Sequence, residues 1–181
     1  MLEAIIIGFA AFAAAVIYAT FAEWAIHGTF MHRPLARFRH FYHGHAEVHH
    51  GIYGSDSTYL VGDRPRVEIK LAWWAMPFPV AAHMPALVAI AIFVSPPVAA
   101  GAFAALTLYQ ASYEYLHFCM HVPNGRWFEG TRWFTFLNEH HIQHHQRPNK
   151  NLNIVLPLAD FLLRTRMTPT EPLKALLKPW A

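Results

Sequence analysis

Residues 98–121 read VAAGAFAALTLYQASYEYLHFCMH, an apolar run that ends in two histidines four positions apart. A helix of about 20 mainly apolar residues is long enough to cross the hydrocarbon core of a bilayer, and residues 98–116 supply one. His117 and His121 follow at positions i and i+4, so both imidazoles lie on one face of the same helix. Because neutral imidazole is the commonest metal ligand in proteins, this stretch predicts a membrane helix with metal ligands at its end.

Two further apolar segments occupy residues 2–25 and 71–94. The Ser-Pro-Pro sequence at 95–97 leaves room only for a tight turn, so the second and third segments form a hairpin. The chain is 55% hydrophobic and 14% charged, whereas an average soluble domain is about 25% charged. The 181 residues therefore predict one all-α domain, an integral membrane helical bundle with three transmembrane helices.

The positive charges predict how this bundle is oriented. All 14 lysines and arginines lie in two blocks, residues 33–70 and 126–178. By the positive-inside rule both blocks are cytoplasmic and the N-terminus lies outside. A cleaved signal peptide is the alternative for the first segment, but that segment lacks a basic start and its apolar run is long for one. The predicted cytoplasmic regions are residues 27–70 and 117–181.

Most of the 14 histidines fall in four clusters within those two regions. So many imidazoles exceed the roughly six positions that one metal ion offers, and imidazole suits iron, zinc, copper or nickel. The sequence therefore predicts a two-metal site at the membrane surface. The predicted ligands are His27, His32, His45, His49, His50, His117, His121, His141, His144 and His145, with His40, His43 and His140 as further candidates.

Four other polar residues have predicted roles near these clusters. Metal-bound imidazoles usually donate their second N–H to a carboxylate or carbonyl group. Glu23 precedes His27 by one helical turn, Glu114 precedes His117 in the same way, and Asn138 borders the last cluster. These three are predicted to orient ligands. His83 lies alone inside the second span and is predicted to form a hydrogen bond within the bundle or to contact substrate.

The clusters, in this order and between these spans, resemble the fatty-acid hydroxylase/sterol desaturase superfamily of membrane-bound di-iron oxygenases. The family's histidine boxes read HxxxxH, HxxHH, HxxxH and HxxHH, and the first, third and fourth match residues 27–32, 117–121 and 141–145. The second box, residues 45–50, has one extra residue, which leaves its first ligand open among His45, His43 and His40. Residues 153–165, NIVLPLADFLLRT, are similar to the tail that follows the family's last box.

This resemblance covers about residues 20–166, although family members commonly have four spans where this chain offers three. It implies two iron ions, O2, and hydroxylation of a lipid such as a fatty acyl chain or a sterol-like lipid, with desaturation left open. Zinc is an alternative metal in the isolated protein. Bacterial carotenoid hydroxylases are also similar in their boxes, and carotenoid hydroxylation is the alternative within the superfamily.

No cysteine cluster or dinucleotide-binding glycine loop is visible in the sequence, so the resemblance implies a separate electron donor of ferredoxin or cytochrome type. The candidates for a basic face that docks this donor are Arg37, Arg39, Arg64, Arg66, Arg147 and Lys150, although the positive-inside bias and contact with anionic lipid explain most of these charges better. The net charge of +3 does not indicate a nucleic-acid partner. Two functions from other classes stay open, a histidine-rich metal transporter or sensor and a zinc-dependent membrane hydrolase.

Overall fold

The computed structural model describes residues 1–62 and 77–177, and within those ranges it contains helices and no strand. The predicted all-α class is therefore confirmed. Residues 71–76 of the predicted second span, together with Arg64 and Arg66, lie outside the described residues. The α-helices are α1 (Leu2–Ile26), α2 (Arg39–Tyr42), α3 (His50–Ile52), α4 (Phe78–Phe93), α5 (Pro96–His121), α6 (Arg132–Gln146), α7 (Leu158–Leu162) and α8 (Glu171–Ala175), with π-helical segments at His27–Met31 and His43–His49 and a 3-10 turn at Ala36–Phe38.

Three long helices form an apolar body. α1 packs along α5, and α4 packs against α5 after a reversal of the chain at residues 94–95. α1 and α5 run in the same direction, because Gly8 lies beside Gly101 near their beginnings and His27 lies beside Tyr113 near their ends. The histidines that follow α1 and end α5 therefore meet at the same end of the body.

One stretch of the described chain, Leu2–Met31, is long and apolar enough to cross a membrane by length and composition. Only 11% of its most apolar 18-residue window is buried inside the protein. α4 is a shorter apolar helix of 16 residues, and α5 carries Gln110, Ser112 and Glu114 in its second half. The arrangement with three spans thus stays a prediction.

α1 and α5 touch at a pair of glycines. A Cβ atom placed on Gly101 would lie 2.1 Å from the carbonyl oxygen of Gly8 and 3.0 Å from its carbonyl carbon. Both atoms belong to the backbone and cannot rotate away. Small residues at such a crossing let two helices approach until their backbones are in contact, as is common between membrane helices.

We expect Gly101→Ala to destabilise the protein by about 1–3 kcal/mol, the usual cost of overpacking, because the two helices must separate. This loss opposes the gain of about 1 kcal/mol that alanine brings to a helix interior. Gly130→Ala is the control, since nothing lies within 4 Å of a Cβ there. The measurement is thermal unfolding in detergent. Equal melting temperatures for the two variants would contradict the crossing.

The other helices form a cap on the end of the body where α1 and α5 finish. α6 begins after Thr131, whose hydroxyl accepts a hydrogen bond from the Phe134 amide. Its apolar side packs on the end of α5 and on the segment after α3. The largest buried apolar residues of this cap are Tyr59, Leu116, Met120, Phe134, Leu137, Ile142 and Ile154. This core fixes α6 beside the last turn of α5, so the histidines of both helices face the same point.

Candidate metal centre

The two π-helical segments bring together histidines that are five positions apart. A π-helix closes its hydrogen bonds at i→i+5 and is often found at functional sites. The rings of His27 and His32 are stacked with centroids 5.1 Å apart, and the Nε2 atoms of His45 and His50 are 3.2 Å apart. On an α-helix these pairs would lie only on neighbouring faces, so the wider turn is what allows each pair to act together.

Five buried histidines form one group, called here the five-histidine group. One nitrogen from each lies within 4.8 Å of the others. The Nε2 atom of His141 is 3.1 Å from that of His121 and 3.0 Å from that of His145, and the Nε2 atoms of His117 and His49 are 3.1 Å apart. α5, α6 and the second π-helical segment thus supply nitrogens to one centre.

Four more histidines form a second group, the four-histidine group: His27, His32, His45 and His144. The Nε2 atoms of His27 and His45 are 2.8 Å apart, and those of His32 and His144 are 3.0 Å apart. His50 lies at the edge of this group through its contact with His45. This group therefore draws on the two π-helical segments and on the end of α6.

The two groups adjoin each other. His144 and His145 are consecutive in α6, yet each belongs to a different group. The ring of His50 is stacked on that of His145 with centroids 4.2 Å apart, and the rings of His45 and His49 are stacked at 5.3 Å. All ten of the principal predicted ligands are thus brought into one mostly buried cluster.

Backbone carbonyl groups hold the outer nitrogens of several rings. The Nδ1 atom of His27 donates to Leu152 at 2.5 Å, that of His144 to Lys150 at 2.9 Å and that of His121 to Tyr59 at 2.8 Å. His145 donates to the Tyr53 carbonyl in the same way. An N–H on Nδ1 leaves the lone pair on Nε2, so these bonds set the tautomer that a metal ligand needs.

Burial keeps the cluster neutral. Burial, followed by the neighbouring imidazoles, lowers the pKa of His45, His50, His141 and His145 well below the ordinary value. The same causes lower the pKa of His144, although its bond to Lys150 opposes them. Neutral imidazoles are the form that binds metal.

The nitrogen separations fit metal ions. Lone pairs that face each other at 2.8–3.1 Å repel unless a cation or a shared proton lies between them. Two ligand nitrogens at right angles around a metal, with bonds of about 2.1 Å, are about 3.0 Å apart. The buried histidine cluster can therefore hold metal, and its donor set consists of imidazole alone.

The other histidines lie outside this cluster. His40 is exposed, and His43 is exposed with its Nδ1 atom 2.7 Å from the Glu47 carboxylate. His140 donates from Nε2 to Asp160 at 2.9 Å. His83 accepts from the Tyr18 hydroxyl at 2.8 Å and donates to the carbonyl of Pro79 at 2.6 Å. The structure thus brings His45, and neither His40 nor His43, to the histidine cluster.

Two of the predicted orienting residues support the histidine rings indirectly. Glu23 accepts hydrogen bonds from the Tyr109 hydroxyl at 2.6 Å and from the amide of Ile154 at 2.6 Å, so it holds the segment whose Leu152 carbonyl contacts His27. Asn138 accepts from the hydroxyl of Tyr59 at 2.5 Å, and the carbonyl of that tyrosine contacts His121. In both cases a tyrosine or a backbone segment lies between the predicted residue and the ring.

The third predicted orienting residue, Glu114, is buried in α5. Its Oε1 atom accepts a hydrogen bond from Gln110 at 3.3 Å. This side chain lies on the same helix as the predicted ligands His117 and His121, at a depth where a carboxyl group needs polar partners.

Asp160 is a buried residue for which no role is predicted from the sequence. Its Oδ1 atom accepts from the amide of Leu152 at 3.0 Å and from Thr165 at 2.6 Å. Its Oδ2 atom accepts from the amide of Asn153 at 2.7 Å and from His140 at 2.9 Å. Burial raises the pKa of Asp160, but these hydrogen bonds outweigh burial and lower it. The ionised carboxylate thus fixes the segment whose carbonyls hold His27 and His144.

No family model matches the chain, and no curated protein and no solved structure is detectably similar to it. The geometry of the histidine cluster therefore carries the functional conclusion.

Proposed function

We propose that this protein is a membrane-bound di-iron oxygenase that hydroxylates a lipid substrate, as its resemblance to the fatty-acid hydroxylase/sterol desaturase superfamily implies. The observation that carries the proposal is the convergence of ten mostly buried imidazoles, nine of them in two adjoining groups and the tenth, His50, in contact with both groups. Two groups favour two metals, and an all-imidazole donor set suits redox metals such as iron. A storage tract or a transport path would not require four of the rings to be held, each by a separate backbone carbonyl.

In this proposal the chain's own residues hold, orient and shield the reaction. The five-histidine and four-histidine groups would bind two irons, which supply the activation of O2 for attack on an unreactive C–H bond. One oxygen atom of O2 would be inserted into the C–H bond, and the other would be reduced to water by two electrons from the separate donor and two protons. The carbonyls of Tyr53, Tyr59, Lys150 and Leu152 fix the rings, and the buried apolar cap excludes bulk water.

The membrane arrangement belongs to the same proposal. Large apolar side chains are exposed on all three long helices, among them Phe9 on α1, Ile92 on α4 and Leu108 on α5. Such exposure is expected where lipid covers a protein and is unusual over large areas in water. Three spans with the N-terminus outside would then set the histidine cluster at the cytoplasmic surface, within reach of a lipid and of a separate ferredoxin or cytochrome.

The first experiment is metal analysis and Mössbauer spectroscopy of the detergent-purified protein from cells grown with iron-57 and little zinc. We expect close to two irons per chain and the spectrum of a coupled di-ferric pair. Lipid extracts incubated with O2 and a reducing system should then yield hydroxylated products. Stable zinc without iron would favour the hydrolase function, and readily exchanged metal would favour transport or sensing. Either of these results would overturn the proposal.

A further inference from the structure

A cavity of about 300 Å³ lies between α1, α4 and α5 and the segment at residues 38–41. Most of its lining is apolar, including Ile26, Phe30, Phe41 and Leu106. Apolar clefts of this kind are the usual binding sites for small ligands, and the few polar groups in them fix the ligand's orientation. The cavity therefore fits an apolar chain better than a polar molecule.

The inner end of the cavity reaches one histidine group and not the other. His27 is the only one of the ten clustered histidines, all within the described chain, that lines the cavity. Tyr113 also lines this end. Its ring lies 6.4 Å from that of His27 and 5.9 Å from that of His117, centroid to centroid. A chain that fills the cavity thus ends at the four-histidine group, while the five-histidine group stays enclosed.

Tyr113 and its neighbour Met31 also determine the polarity of this inner end. Tyr113 is buried, and its hydroxyl donates to the sulfur of Met31 at 3.9 Å, a weak acceptor. Met31 is buried and also lines the cavity. The inner end is therefore formed by an imidazole, a thioether and a phenol, none of which carries a charge.

The outer end of the cavity has the opposite character. Phe38 and Phe78, which line it, are exposed, and Arg37 and Arg39 flank Phe38 and are exposed too. The single carboxylate in the lining, Glu23, is turned toward residues 153–154 by its hydrogen bonds. Positive charge is thus available at the entrance, and no lysine or arginine lines the interior among the residues that the structure describes.

We propose that the cavity binds a long-chain fatty acyl substrate with its methyl end inward, so that oxidation takes place toward that end and at the four-histidine group. The acidic or polar head stays at the entrance near Arg37 and Arg39. This inference rests on the proposed function, because it assigns the substrate class and the position of attack at that same site.

The test uses two photoreactive fatty acids on the purified, metal-loaded protein. One carries a diazirine next to its methyl end and the other next to its carboxylate, and mass spectrometry locates the labelled peptides. We expect the methyl-end probe to label the region of Met31 and Tyr113, and the carboxyl-end probe to label residues 37–41 or 78–82. The reverse pattern, or the same labels from both probes, would overturn the proposed orientation.

A matched pair of variants tests the cavity itself. Ala22 lines the cavity, whereas Ala14 is an exposed residue of the same helix that does not line it. We expect Ala22→Phe to lose at least tenfold in labelling while its metal content stays at the parent level, and Ala14→Phe to label normally. Equal labelling of both variants would overturn the site. If the probes label the expected residues in a protein that binds no iron, the proposed oxygenase function is contradicted and the proposed binding site is supported. Failure of the function and failure of the binding site can therefore be distinguished.

Discussion

Alanine at His145 is expected to remove the metal of the five-histidine group, and alanine at His144 the metal of the four-histidine group. The two residues are neighbours in α6, but their Nε2 atoms point to different partners, His141 for the first and His32 for the second. Each variant should retain about one metal ion per chain instead of two, because the other group keeps all its imidazoles. Each should also lose oxygenase turnover, since the proposed reaction requires both metals.

The control for this pair is His43→Ala, which removes an exposed imidazole paired only with Glu47 among the contacts described here. It should keep the full metal content and activity of the parent protein. Metal analysis and Mössbauer spectra of the three variants are the measurements. Loss of all metal from both α6 variants would mean that the two groups bind as one unit. Full metal content in both would contradict the ligand assignment.

The sequence was sufficient to predict which histidines gather. The i, i+4 spacing of His117 and His121 and the 0, 3, 4 spacing of His141, His144 and His145 are α-helical, and α5 and α6 present them as that spacing predicts. All four clusters were also predicted to lie on one side of the membrane from the positions of lysine and arginine. The structure does gather them at one end of the three long helices.

Spacing alone could not predict how the first two clusters contribute. Pairs five residues apart match no face of an α-helix, and the extra residue in the second cluster left its first ligand open. The π-helical segments at His27–Met31 and His43–His49 resolve both points, because a wider turn places i and i+5 together. A π-helix depends on the packing around it, which a pattern of residue types does not reveal.

The groups that hold the imidazole rings in place could not be predicted from the sequence either. A glutamate one turn before a histidine suggests a direct contact, but Glu23 binds the segment at residues 153–154 instead. Four of the rings are instead held by backbone carbonyls, and every residue has a carbonyl, so residue type does not reveal which ones are used. The carbonyls of Tyr53 and Tyr59 lie on the segment after α3. Those of Lys150 and Leu152 are positioned by the path of the chain after α6, where Asn151 adopts a φ of 52° and Leu152 packs against Gly28.

That path depends on Asp160, and Asp160→Asn is expected to weaken metal binding at the four-histidine group by about 10–100-fold, the usual effect of altering a group that supports a metal ligand. An asparagine places an NH2 group where one carboxylate oxygen accepts from two donors, either Leu152 and Thr165 or Asn153 and His140. The NH2 group would then face two hydrogen-bond donors and could accept from neither, so the segment that holds His27 and His144 would shift.

The five-histidine group should keep its metal in Asp160→Asn, because its rings are held by carbonyls elsewhere, those of Tyr59 and Tyr53. Dialysis against a chelator, followed by metal analysis, measures the loss, and the remaining metal should give the same spectrum as in His144→Ala. Glu129→Gln is the matched control, since Glu129 is a buried carboxylate that accepts from the amides of Asn124 and Arg126 in the loop before α6. Equal loss from both groups would indicate general destabilisation, and a protein that retains both metals through dialysis would show that Asp160 does not support the site.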